Sequence, residues 1–344
     1  MSETIFITGI LGQDGAYLAD LALKKGHRVV GGARRSSTVN DWRLRELGIA
    51  GKVEILDFEL LEFGNILNTV RAVRPTRLFN LAAQSFVGTS FGQPLFTSDV
   101  NALGVLRLLE AIREVDPAIR FYQASTSEMF GLAQAVPQNE TTAFHPRSPY
   151  GVAKVYAHFI VGNYREAYGL HASSGILFNH ESPLRGGEFV TRKITSALAR
   201  IHFGSTEVIE LGNLDAKRDW GHARDYVEGM WLMASQPAGG DFVLATGYSA
   251  TIREFLTKAA KAAGIELDFD GAGTAETAVD RKTGRLIARV NTKFYRPSDV
   301  EALVGDASKA SKVLGWTHSV SLDGLIEEMV EADLRRTGPV SVAG

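Results

Sequence analysis

The stretch "IFITGILGQDGAYL", residues 5–18, runs from an apolar strand pattern straight into a helical one, with Gly9, Gly12 and Gly15 between them. That spacing offers a tight turn, bare backbone against which a pyrophosphate can lie, and a helix N-terminus whose free N–H groups favour anionic oxygens. Gln13 and Asp14 stand in the same turn. No other stretch of the 344 residues repeats this glycine triple.

Outward from it, the apolar runs "RVVGGAR", "VEILDF", "RLFNLAA" and "RFYQAS" alternate with helical patterns such as "YLADLALKKG", "NILNTVRAV" and "VNALGVLRLLEAIREV". Strands this apolar are covered on both faces, which predicts an α/β fold with a Rossmann-type, doubly wound parallel sheet. "SPYGVAKVYAHFIVGNYREAYG" predicts a long helix, with Pro149 in its first turn and Gly169 near its end. From about residue 181 the alternation lapses. The expectation is a nucleotide-binding unit over residues 1–180, rejoined within about 215–248, and a smaller substrate-binding lobe over most of 181–344. "ATIREFLTKAAKAAG" and "SLDGLIEEMVEADLRR" read as amphipathic helices, "DGAGTAETAVDRKTGR" as a polar loop between them, and "TGPVSVAG" as a frayed end.

Composition narrows the function. The chain has 45% hydrophobic residues and no cysteine, which excludes disulfides, thiolate nucleophiles and cysteine zinc sites. Its eight histidines form no H-x-x-x-H pair, so no metal is expected. A formal charge of -2 leaves no footprint for nucleic acid. The sequence has neither an apolar run long enough to span a bilayer nor the residue order of a signal peptide, which places the protein in the cytoplasm, away from membranes. Its partners are then small molecules and copies of itself.

At the end of the second strand, where an NAD-binding fold offers an acid to the ribose, stand Arg34, Arg35 and Ser36. Guanidiniums and hydroxyls suit a 2′-phosphate, which a carboxylate would repel, so the expected cofactor is NADP. Asp57 and Phe58, after the third strand, are read as holding the adenine by a hydrogen bond and a stack. Leu81, Ala82, Ala83 and Gln84, after the fourth, would run beside the phosphates and the nicotinamide ribose.

In "SPYGVAK", Tyr150 and Lys154 are four apart on a helix and share a face. A lysine ammonium beside the phenol is expected to poise it to take a proton from an alcohol while hydride leaves for the nicotinamide. "ASTSEMFG", residues 124–131, adds Glu128 two places after Thr126. A simple dehydrogenase has no use for that carboxylate. Once a sugar alcohol is oxidised, however, the hydrogen on the adjacent carbon is acidic, and a carboxylate can remove it and protonate a departing hydroxyl. The set therefore points to elimination of water.

"NLAAQSFVGTSF", "FYQASTSEMFG", "HPRSPYGVAKVYAHFIVGNYREAYG", "FNHESPLRGGEFVTRKIT" and "LGNLDAKRDWGHARDYVEGMW" together resemble the extended short-chain dehydrogenase/reductase family and, within it, the GDP-mannose 4,6-dehydratases. The resemblance covers nearly all of residues 4–316. It implies Thr126, Glu128, Tyr150 and Lys154 as the catalytic set, with Thr126 on the C4 hydroxyl. It also implies His180 and Arg185 as cofactor contacts, and Ser85, Asn179, Val190, Lys193, Arg218 and Arg296 as contacts to GDP-mannose or a related nucleotide sugar. A homotetramer is implied too, its "RRSS" loop reaching a neighbour's cofactor; the basic segment from Arg35 to Leu47, read as having no role in a monomer's core, agrees. Phe86, Phe96 (near the cofactor), Leu184 and Asp299 depart from the family's usual residues. Alternatives are a dehydratase of another nucleotide sugar and a non-catalytic NADP-binding sensor.

Overall fold

Ile5, Phe6 and Ile7 are all fully buried in β1 (Thr4–Thr8), the mark of a strand covered on both faces. A computed structural model describes residues 2–38, 40–294 and 302–338. Arg296, Asp299 and most of the terminal "TGPVSVAG" therefore lie outside the described residues. After β1 come α1 (Gln13–Lys24), β2 (Arg28–Ala33), α2 (Trp42–Glu46), β3 (Glu54–Asp57), α3 (Phe63–Val73) and β4 (Arg77–Asn80). Two short helices, α4 (Val87–Gly92) and α5 (Pro94–Ser98), lead through a π-helical turn into α6 (Gly104–Val115). Next stand β5 (Arg120–Thr126), α7 (Pro149–Tyr168) and β6 (Ala172–Leu177). Ser148 caps α7 by accepting the Gly151 N–H at 3.0 Å, Pro149 opens it, and Gly169 ends it at φ +66°.

The second half comprises β7 (Asn179–Glu181), α8 (Val190–His202), β8 (Ile209–Leu211), β9 (Lys217–Arg218), β10 (Trp220–His222), α9 (Ala223–Ser235), β11 (Asp241–Leu244) and β12 (Ala250–Thr251). It continues with α10 (Ile252–Ala262), β13 (Leu267–Asp270), β14 (Thr277–Asp280), β15 (Leu286–Val290), β16 (Ala302–Leu303), α11 (Ser308–Leu314) and α12 (Leu322–Thr337).

The main sheet has seven parallel strands in the order β11-β6-β5-β4-β1-β2-β3. One face carries α1, α2, α9 and α11, packed around Ile7, Phe79 and Tyr122; the other carries α3, α6 and α7, around Phe6, Leu78 and Phe121. Beside it a four-stranded sheet, β13-β14-β15-β8, shares a separate apolar core with α8, α10 and α12. Strand β14 replaces part of the expected polar loop. Its Ala278 is buried, and neighbouring Glu276 takes an ion pair from Arg253, so its polar residues are committed rather than solvated.

Candidate active site

The strand order reverses between β1 and β4, and a parallel sheet opens its ligand crevice at that point, beyond the strands' C-terminal ends. Gly9 follows β1 at φ +69°, and a Cβ there would stand 2.8 Å from the Ala82 nitrogen. At Gly15 a Cβ would meet the Gly9 carbonyl oxygen at 2.4 Å. Both positions thus require glycine, and α1 starts at Gly12 without a side-chain cap. Beneath the crevice runs a buried polar ladder. Thr8 donates to Asn80 at 2.6 Å and Asn80 to Gln123 at 2.7 Å, while Thr8 Oγ1 accepts the N–H groups of Leu81 and Ala82. Gln123 in turn donates to the Ala124 carbonyl at 2.8 Å. Ala83 and Gln84 follow at the rim, with Gln84 pinned by Asn101 and Thr97.

Arg34, Arg35 and Ser36 are exposed beyond β2, and Asp57 is exposed at the end of neighbouring β3. Phe58 corrects one expectation. It is only 4% exposed, and its ring lies edge-on to Phe6 at 5.1 Å, so it offers no stacking face to an adenine. A strand-end phenylalanine gains more by entering the core than by waiting at a rim. Phe96 is half-buried against the same core.

Thr126 ends β5, and its Oγ1 accepts the Glu128 N–H at 3.2 Å, turning the chain so that Glu128 stands partly exposed beside Tyr150. Burial pushes the Tyr150 phenol up to about 12; a hydrogen bond from Thr126 works against this and the Glu128 carboxylate adds to it. Burial alone brings Lys154 down to about 8. Its Nζ donates to the Ala124 carbonyl at 2.9 Å and sits 5.8 Å from the Tyr150 ring centroid. The sequence reading put the ammonium in charge of the phenol. Here burial sets the direction of the phenol's shift, and the lysine is anchored to the strand through the end of the polar ladder.

His180 on β7 holds the Asp14 carboxylate through Nε2 at 2.8 Å and the Phe178 carbonyl through Nδ1 at 2.8 Å, with its ring stacked on Tyr226 at 4.6 Å. Burial opposes the charged imidazole, but Asp14 outweighs it and raises the His180 pKa; the same pairing overcomes burial and lowers that of Asp14. Gln13 completes the cluster, donating to Asp14 and to the His180 carbonyl and accepting from Ser182 at 2.7 Å. Arg185 pairs with buried Glu181 at 3.0 Å and lies 3.5 Å over the Phe189 ring.

Of the expected substrate contacts, Ser85 is exposed after β4, Asn179 faces Trp220 in the β7–β10 pair, and Val190 opens α8. Lys193 donates to the Glu210 carbonyl at 2.6 Å over the Phe294 ring, and burial lowers its pKa. Arg218 donates to the Lys217 carbonyl at 2.7 Å.

The segment from Arg35 to Leu47 also differs from expectation. Leu44 is fully buried, and Arg43 donates to the carbonyls of Leu184 at 2.6 Å and Leu11 at 2.9 Å, so this segment does serve the core of a single chain. Sequence reading also missed Thr8, Asn80 and Gln123. Their signal was present: each is a polar residue directly after two or three apolar ones in a buried strand.

The profile of the family described as GDP-mannose 4,6 dehydratase matches residues 6–329. A GDP-mannose 4,6-dehydratase of Sinorhizobium fredii is 51% identical over 339 residues, covering 96% of this chain and 97% of the relative. The human GDP-mannose 4,6 dehydratase is 48% identical, covering 97% and 92%. Among solved structures, the Thermus thermophilus UDP-glucose 4-epimerase complex with NAD aligns with a TM-score of 0.79 at 24% identity, covering 96% of this chain and 98% of that one. The structure titled RMD from Pseudomonas aeruginosa, complexed with NADPH, aligns at 0.77 and 21%, covering 97% and 100%. These two carry the fold; the profile and the relatives carry the family, and this chain belongs to the GDP-mannose 4,6-dehydratase family.

Proposed function

We propose that the protein converts GDP-mannose to GDP-4-keto-6-deoxymannose by oxidation at C4, loss of water across C5 and C6, and return of the hydride to C6. The observation that carries this is the pairing of Tyr150 with Glu128, whose carboxylate has no hydrogen-bond or ion-pair partner among the described residues. A carboxylate left free beside a buried phenol can move a proton that the phenol does not. Thr126 orients the C4 hydroxyl, Tyr150 accepts its proton, and Lys154 holds positive charge beneath. Glu128 then takes the C5 proton and delivers it to the C6 hydroxyl, which leaves as water.

The cofactor of this reading is NADP, which when bound supplies the acceptor for the hydride and returns it. The residues fit such a group: bare backbone at Gly12, the uncapped start of α1, and exposed Arg34, Arg35 and Ser36 at the rim. Asp57, Leu81, Ala82, Ala83, Gln84, Phe96, His180 and Arg185 would line it, with Phe58 contributing its backbone only. Ser85, Asn179, Val190, Lys193, Arg218 and Arg296 are assigned to the nucleotide sugar. Residues 1–180, rejoined within about 215–248, form the nucleotide unit of this proposal, and the rest of 181–344 the sugar unit, in a cytoplasmic enzyme.

Self-association is part of the same reading, with a different basis from the Arg35–Leu47 segment. Phe91, Leu95, Leu103, Val152, Tyr156 and Phe159 are exposed on the adjoining α4, α5, π-turn and α7 surfaces. Such an apolar patch suits a second copy of the chain. The test of function is incubation with GDP, dTDP, UDP and CDP sugars and detection of water loss by mass. GDP-mannose is the substrate expected to lose water fastest, and preference for another base would refute the assignment.

A further inference from the structure

We infer that Arg336, near the end of α12, is a positioning residue for the 2′-phosphate arm of the cofactor site, acting through Trp42. This rests on the NADP reading above. Arg34 to Thr38 leave β2 exposed, and among the described residues they are braced only by a hydrogen bond from Ser36 to the Thr38 carbonyl at 2.5 Å. Their geometry is therefore set by what holds the two ends of the loop. One end is β2. The other is α2, too short to be stable on its own.

Leu44 in the core and Arg43 on the Leu11 and Leu184 carbonyls hold one side of α2, and a second hold comes from far along the chain. Two guanidiniums lie over the Trp42 ring, Arg43 at 4.6 Å from its centroid and Arg336 at 5.4 Å. Arg336 also pairs with Glu46 at 2.9 Å and donates to the Pro183 carbonyl at 2.9 Å. Asp333, 2% exposed, backs Arg336 at 3.3 Å and is itself held by Arg192 at 2.6 Å. A planar cation that stacks on one residue and bonds another of the same short helix fixes its rotation as well as its place. With that clamp intact, the arginine arm meets a phosphate already ordered. Without it, binding must order the arm, and affinity falls by the cost of that ordering.

The consequence is selective. A ligand lacking the 2′-phosphate keeps the other contacts of the site and gains nothing from the clamp. Arg336→Met should weaken NADP binding about tenfold in a calorimetric titration while leaving NAD within about twofold. Glu46→Gln, a milder surface change, should weaken NADP in the same direction by less, and covers the case in which Arg336→Met fails to fold. Arg336→Lys, which keeps the charge to Glu46 but loses the planar stack, should fall between wild type and Met. The clamp has its own readout: Trp220, Trp231 and Trp316 are buried, so acrylamide quenching reports chiefly on Trp42 and should rise in Arg336→Met. Increased quenching with an unchanged NADP-to-NAD ratio would show that the clamp exists but positions nothing, and overturns the inference. Equal weakening of both cofactors would make Arg336 merely structural, and overturns it too. A wild-type protein that binds NAD as tightly as NADP would instead remove the NADP reading beneath it.

Discussion

Two polar groupings flank the crevice and are built in opposite ways. In Gln13, Asp14, His180 and Ser182 the groups are buried or half-buried and bonded to one another, so that Gln13 alone serves three partners. In Thr126, Glu128 and Tyr150 the threonine serves both the Glu128 N–H and the phenol, the carboxylate has no side-chain partner among the described residues, and the phenol is raised by burial. The first arrangement fastens the segment after β6 to the first turn of α1. The second leaves the Glu128 carboxylate uncommitted beside the phenol, where the proposed reaction needs it. Satisfied groups hold shape, and groups without partners are left to do chemistry.

The largest expected effect falls on the uncommitted side. Glu128→Gln preserves shape and removes the base, so water loss should slow by roughly 10²–10⁴-fold with substrate binding nearly unchanged, as followed by mass detection of product. An unchanged rate would return Glu128 to the role of a turn residue.

Next in size is a pH effect at Lys154. Burial lowers its pKa to about 8, so turnover that needs the ammonium should fall as pH rises through that value. Stability moves the other way. Between about 8 and the unfolded value of 10.5 the unfolded chain binds more protons here, so this residue's contribution to stability rises with pH. Rate and melting temperature should therefore diverge across that window, and Lys154→Met should abolish the stability change. Parallel loss of both would contradict the assignment.

The smallest effect belongs to the committed cluster. Asp14→Asn should cost about 1–3 kcal/mol in denaturant unfolding, the penalty for a buried group losing its charged partner. With its pKa raised, His180 contributes stability that is fully present below 6.5 and lost as pH rises through the folded value; for Asp14, with a lowered pKa, the loss comes as pH falls. The wild-type pair is thus most stabilising between the two, and Asp14→Asn should flatten that dependence.

The same contrast explains what could be read from sequence. The fingerprint and the alternating runs were legible because β1 and β4 are apolar on both faces and Gly9 and Gly15 are forced by backbone contact. Tyr150 and Lys154 were legible as neighbours, since one helical turn fixes their spacing, but the direction of Lys154 was not: it depends on Ala124, thirty residues away, through a hydrogen bond of tertiary origin. Strand β14 was hidden because four residues with two polar ends look like a loop until Ala278 finds its core. Leu44 and Arg43 were hidden because a short basic segment reads as solvated unless the carbonyls of Leu11 and Leu184 are known to face it.

The most direct measurement of the central claim follows one hydrogen. GDP-mannose deuterated at C4 should give product carrying that deuterium at C6, with solvent deuterium entering at C5 when the reaction is run in heavy water. Glu128→Gln should form this doubly labelled product only at its slowed rate. Loss of the C4 deuterium to water, or its appearance anywhere but C6, would contradict the account.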